Sequence, residues 1–470
     1  MTKFKWALLP SLIFLCACSI THRTALLSDE ELKQQKIYTQ LNEALSNPSD
    51  VFILKLENDQ LTEVPHAIVR LSNLQVLYLG YNQLKTLPED LSQLQNLQIL
   101  VLRNNRFREI PDIIARLKNL TVLDLTGNQL SRLSGELYPC SQLKSLLLAE
   151  NQIVSVSEGI GQMHALEILD LFSNRLKQLP PDIGALINLQ KIDLDQNQLE
   201  TLPESISNLK NLISLRVEKN QLRELPEHFS GLSRLIELKI NDNELKELPV
   251  DFGKINQLSQ LDLRNNQLKK LPESIGEMIY LTSIDASNNQ LQSLCDLSTL
   301  QELQQVNFQN NQLEEINCSF LSAPKMKEIN LSINKIERFS GEFTYGNNVN
   351  FLDLEFNNLK IIPKQFEDLR KVTYVNVSGN AIHEMSSVLL KMDSLEKLNL
   401  SNNRIDLFEK DLSMHPSLKE IDLSNNQVKL IPLSYAKISG LEKLILSNNP
   451  IYSWHIKQLK SNFPENVLIL

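Results

Sequence analysis

Cysteine, glycine and tryptophan are scarce in this chain, at 5, 13 and 2 of 470 residues. So little glycine excludes collagen-like and flexible-linker classes, and so few cysteines exclude a disulfide-stapled scaffold. There is no CxxC pair and no Cys/His spacing of the kind that holds zinc. The seven histidines, His22, His66, His164, His228, His383, His415 and His455, are scattered. No Ser/His/Asp or Cys/His constellation can be assembled from them, and GxGxxG, P-loop and HExxH motifs are absent. The expectation is a protein without catalysis, metal or cofactor. Basic clusters are missing too: the net charge is −9, and the chain has no Lys/Arg stripe with which to grip a phosphate backbone, which argues against nucleic acid.

An apolar run of membrane-spanning length is also missing. The longest begins at Trp6 and ends at Leu15, interrupted by Pro10 and Ser11 and preceded by Lys3 and Lys5. That is too short for a bilayer and has the layout of a secretory signal, residues 1–17. Its end, Leu15, Cys16, Ala17, Cys18, resembles a bacterial lipobox, which would make Cys18 the lipidated first residue of the mature protein, followed by a tether over 18–28. Acyl chains contribute ~0.8 kcal/mol per buried methylene, so two or three of them anchor a domain without inserting it. A plain signal peptide followed by secretion is the alternative. Of the remaining cysteines, Cys140, Cys295 and Cys318, the last two lie 23 residues apart, which raises a disulfide between neighbouring coils alongside the plainer reading of buried thiols.

What the chain does have is repetition. From Val51 the pattern LxxLxLxxNxL recurs, with its asparagine slot filled by Asp59, Asn82, Asn105, Asn128 and so on to Asn449. Eighteen repeats result over 51–452, every step 23 residues except the 22 from Asn289 to Asn311. A fixed period of this length means a solenoid whose repeats cannot bury their leucines alone. In the second repeat Leu74, Leu77, Leu79 and Leu84 point inward from a short strand and its turn, and most repeats continue with LPxxIxxL, as at Leu87, Pro88, Leu91 and Leu94. Parallel strands ~4.8 Å apart give a concave sheet on the order of 85 Å long. The ends need caps. Ser28 and Glu31 form a capping box for a helix within 29–50, with Leu32, Tyr38, Leu41 and Leu45 on one face. At the other end, 453–470 reads as a helix with Trp454 and Leu459 inward and then a strand from Val467 to Leu470.

These repeats resemble the leucine-rich-repeat family, and the 23-residue LPxxI unit is similar to that of spirochaete leucine-rich-repeat proteins. The resemblance implies an α/β horseshoe with a parallel concave β-sheet and an irregular or short-helical convex side. It also implies surface-exposed or secreted proteins that contact host molecules. The LP proline is replaced at Ser134, Ser157, Cys295, Asn317 and Ser340.

Strand residues between the inward leucines face the concave solvent. In the second to sixth repeats they are Val76, Tyr78, Tyr81, Ile99, Val101, Val122, Leu147, Ile168 and Phe172, an apolar set that would merge into one partner-binding patch. A cap folded over them, or β-propensity alone, would also account for it. Asp170, Asp193, Arg216, Lys239, Asp262 and Asp285 run down the middle of the sheet as a candidate ladder of ion pairs. Phe351, Phe356 and Tyr374 form a second aromatic group. The reading is a monomeric, lipid-anchored protein of the cell envelope, at the outer membrane or surface, that binds a protein through its concave face. A secreted effector acting on host signalling and a periplasmic scaffold are the alternatives.

Overall fold

The computed structural model describes residues 26–344, 348–408 and 411–470. Cys18, the signal-like segment and most of the proposed tether lie outside the described residues. Each repeat contributes one short strand, and every strand pairs in parallel with its successor. The first thirteen are β1 (Ile37–Tyr38), β2 (Ile53–Lys55), β3 (Val76–Tyr78), β4 (Ile99–Val101), β5 (Val122–Asp124), β6 (Ser145–Leu147), β7 (Ile168–Asp170), β8 (Lys191–Asp193), β9 (Ser214–Arg216), β10 (Glu237–Lys239), β11 (Gln260–Asp262), β12 (Ser283–Asp285) and β13 (Gln305–Asn307). Among the described residues the sheet has 20 strands and closes at Leu468–Ile469. Between strands the chain returns through 3-10 turns such as Glu89–Gln93 and Glu204–Asn208, each preceded by the LP proline, whose fixed φ sets the extended entry to the turn. The solenoid therefore has a sheet on one side and tight turns on the other.

The central residue of each strand, Leu77, Leu100, Leu123, Leu146 and onward, is fully buried and belongs to one continuous core. Burying each such leucine contributes ~1.5–3 kcal/mol. The asparagine slot completes the coil. Asn220 Nδ2 donates to Leu194 O (2.9 Å) on the preceding coil and Val217 O (3.1 Å) on its own, while Oδ1 accepts from Leu199 N (2.9 Å). The same set of bonds recurs at Asn82, Asn105 and down to Asn449, so one amide per repeat satisfies backbone groups that the strand leaves unpaired.

At three places where the LP proline is missing, the turn becomes a second small ladder. Leu133 bridges Val156, Glu315–Asn317 pairs with Arg338–Ser340, and Glu384–Met385 pairs with Leu407–Phe408. The reason is the donor that proline lacks: Ser157 N donates to Leu133 O at 2.9 Å.

Both ends differ in part from the sequence expectation. The Ser28–Glu31 capping box is present, but α1 (Asp29–Leu32) stops after one turn. The chain then forms β1, and only Leu41–Ser46 is helical again, as α2. Pairing with β2 explains the break, because a continuous helix would leave the first edge of the sheet unpaired. In the C-terminal helix, α3 (Ser453–Asn462), Leu459 is buried as expected but Trp454 faces outward and stacks on Tyr452 (5.9 Å), with His455 taking the inward position. Cys295 and Cys318 are both free and buried. The 22-residue step sets them out of phase, since Ser283 pairs with Gln305 and the counterpart of Cys295 is therefore Asn317. Burial pushes each thiol up to about 12.

Candidate functional site

The apolar concave residues divide into two groups. The first is covered by the chain's own N-terminal segment: Leu27 and Leu32 pack with Ile53 and Val76 into a small separate core, against which Tyr78 and Ile99 also lie. Two glutamines on neighbouring coils hold that segment in place. Gln75 Oε1 accepts from Leu27 N (2.9 Å), Gln98 Nε2 donates to Leu27 O (2.9 Å), and the two side chains bond each other at 2.8 Å. Val76, Tyr78 and Ile99 are therefore packed against this lid, not the free surface expected from their alternation. Val101, on the same strand as Ile99, is buried, and Tyr81 stands at the margin of the sheet with the Arg103 guanidinium 5.4 Å from its ring.

The second group, Val122, Leu147, Ile168 and Phe172, is half-buried on β5 to β7 and the residues just after β7. Register places Asp124 beside Leu147, Leu147 beside Asp170, and Asp170 beside Asp193. A cavity of about 190 Å³ opens here, lined by Leu147, Ile168, Asp170, Asp193, Arg216 and Glu237 among others. A larger hollow of about 850 Å³ lies among the turns after the asparagine slot, where Lys85, Arg106 and Arg108 mix with Glu89, Glu109 and Asp112 and no groups converge.

The middle column is not a simple alternating ladder. Arg216 gathers three carboxylates: Nε lies 3.1 Å from Asp193 Oδ2, Nη2 2.6 Å from Asp195 Oδ2, and Nη1 3.3 Å from Glu237 Oε1. Asp262 pairs instead with Arg264 of its own coil (2.9 Å). Asp195 was not anticipated from sequence; its signal was the position two residues beyond the strand, which also faces the sheet. Burial pushes the carboxyls of Asp193 and Asp195 up to about 6, with repulsion from Asp170 and Glu237 adding to it at Asp193 and repulsion from Asp193 adding to it at Asp195. Asp170 is raised for the same first reason, with Asp124 and Asp195 adding repulsion and Arg216 opposing it. The local charge is thus costly and only partly compensated.

The second aromatic group also divides: Phe351 and Tyr374 stack at 5.0 Å, whereas Phe356 projects from the opposite margin and lies against Gly379. Among the described residues no group of three His, Cys, Asp or Glu side chains is placed to hold a metal, and no helix is long and apolar enough to cross a membrane.

The model for the leucine rich repeat matches residues 50–107, 95–153, 225–268, 324–382 and 393–451, and that for the leucine-rich repeat region matches 158–244. The chain belongs to the leucine-rich-repeat family. Among solved structures, this leucine-rich-repeat chain is similar to a leucine-rich-repeat protein of Leptospira interrogans, with 28% identity and a TM-score of 0.57 over 93% of this chain and 100% of that one. It is also similar to the Arabidopsis receptor kinase HAESA, solved in complex with the peptide hormone IDA and the co-receptor SERK1, with 25% identity and a TM-score of 0.66 over 90% of this chain and 75% of that one. The plant peptide hormone receptor RGFR1, solved with RGF2, aligns at 25% identity with a TM-score of 0.65 over the same shares. None of the curated proteins matches the chain.

Proposed function

We propose that this leucine-rich-repeat protein binds a protein partner through the uncovered part of its concave face, with β6 and β7 at the centre. The observation that carries the reading is Leu147, Ile168 and Phe172 standing partly exposed beside a cavity, next to apolar strand residues that the chain covers with its own lid. An ordered apolar surface rimmed by charge is the usual anatomy of a protein-binding site. The likeness to receptors solved with peptide hormones supports it.

The test is photo-crosslinking from a benzoylphenylalanine at position 172, with Ile187, exposed on the convex side, as the control position. A discrete protein adduct from 172 and none from 187 is the expected result; equal labelling from both, or none from either, contradicts the reading.

We further propose that the protein is anchored to the bacterial cell envelope by acyl chains on Cys18. The basic start, short apolar run and Leu15-Cys16-Ala17-Cys18 support this. Expressed in a bacterial host, the full-length chain should enter the detergent phase and carry the mass of the lipid, while Cys18→Ala should do neither. Cleavage without lipid would favour secretion.

A further inference from the structure

We infer that the occupant of the concave site is an extended protein segment that places an arginine side chain over Leu147, between Asp124 and Asp170, with an apolar neighbour against Ile168 and Phe172. This rests on the protein-binding reading above and specifies its ligand. Leu147 is paired in register with Asp124 on one side and Asp170 on the other. The two carboxyl-bearing strands are therefore two strand spacings apart, ~9.6 Å, and a cation over Leu147 sits within ~5 Å of each.

The charge is not required by the fold. Asp124 and Asp170 each use Oδ1 to accept the backbone N–H two residues on, from Thr126 and from Phe172, both at 2.9 Å. A neutral asparagine does the same elsewhere in the sheet: Asn307, Asn330, Asn376 and Asn399 occupy this slot and accept the equivalent bond. What distinguishes β5 to β7 is an apolar side chain with a carboxylate in register on either side, since Asp353 stands between Asn330 and Asn376 and Asp422 between Asn399 and Ile445. Asp262 and Asp285, in the same column, are flanked instead by Gln260, Ser283 and Ser287.

Such a floor selects for guanidinium over ammonium. Guanidinium is planar and weakly hydrated, so its face lies on Leu147 or the Phe172 ring while its edges donate to both carboxylates. An ammonium would have to shed a tighter hydration shell over the same apolar floor.

The experiment is selection of a random peptide library displayed on phage against the full chain, followed by affinity measurement of the selected peptides. The expected result is enrichment of arginine next to an apolar residue. A selected peptide should also weaken by about tenfold or more against Asp124→Asn combined with Asp170→Asn, and when its arginine becomes citrulline. The asparagine pair repeats what the fold already uses at four positions, so loss of folding does not confound the comparison. If selected peptides lack arginine, or bind the asparagine pair unchanged while losing affinity to Leu147→Ala with Phe172→Ala, the arginine inference is overturned and the concave binding reading stands. If no peptide is enriched, both are overturned.

Discussion

At the scale of single residues, one amide does most of the joining between coils. Replacing Asn220 by alanine orphans the Leu199 N–H and takes one of two donors from Leu194 O and Val217 O, which keep Asn197 and Asn243, and an unsatisfied buried group costs roughly 1–3 kcal/mol. Asn220→Ala should therefore lower stability to urea by roughly 1–3 kcal/mol, and a loss near zero would mean that the ladder is ornamental. The residue just before each asparagine slot is held in the left-handed region, and glycine or asparagine fills it cheaply at Asn104, Gly127, Asn265, Asn288 and Asn402. Ile333 sits there with φ of 55° and Phe356 with 52°, both exposed. A β-branched residue in this conformation costs ~1–2 kcal/mol, so Ile333→Asn should stabilise the protein by about 1 kcal/mol. Asp193 and Asp195 give a pH signature. Their folded-state carboxyls are raised from 3.8 to about 6, so the stability linked to them is present at low pH and is lost as pH rises through about 6. Urea unfolding at pH 4.5 and pH 7 should show that loss, and Asp193→Asn, which keeps the bond to Asp195 N, should diminish it.

At the scale of elements, the missing prolines matter as much as those present. Ser157→Pro deletes the N–H that Leu133 accepts and should destabilise the Leu133–Val156 bridge, read as faster hydrogen exchange confined to the fourth and fifth repeats. Close approach between turns sets another limit: a Cβ on Gly253 would collide with Ser274 O, so Gly253→Ala must push two coils apart and should cost more than about 2 kcal/mol. The strand register and the asparagine slot were legible in sequence because a 23-residue period repeats the same physical demand eighteen times. Of the single-copy features the extent of the C-terminal helix was legible, but contacts between distant segments were not. The lid was hidden because Leu27 and Leu32 belong to no repeat, and only the fold brings them to Val76, 44 residues beyond Leu32. The orientation of Trp454 was misread because a lone amphipathic turn does not fix its own rotation.

At the scale of the whole molecule, each coil touches only its neighbours, so the solenoid provides a long ordered surface on which any stretch can carry function. Alternation was enough to identify which residues face that surface, but not which remain uncovered. Of nine apolar residues expected there, Val76, Tyr78 and Ile99 support the lid, Val101 is buried, Tyr81 stands at the margin, and Val122, Leu147, Ile168 and Phe172 remain half-buried on and just after β5 to β7. The proposed binding site is therefore β6 and β7, away from the N-terminal end. The most direct measurement is the affinity of a crosslinked or selected partner for three forms of the protein: unaltered, Leu147→Ala with Phe172→Ala, and the convex pair Ile187→Ala with Val250→Ala. The account predicts that the concave pair loses about tenfold or more, equivalent to ~1.4 kcal/mol, while the convex pair is unchanged. Unchanged affinity in the concave pair, or an equal loss in both, would contradict it.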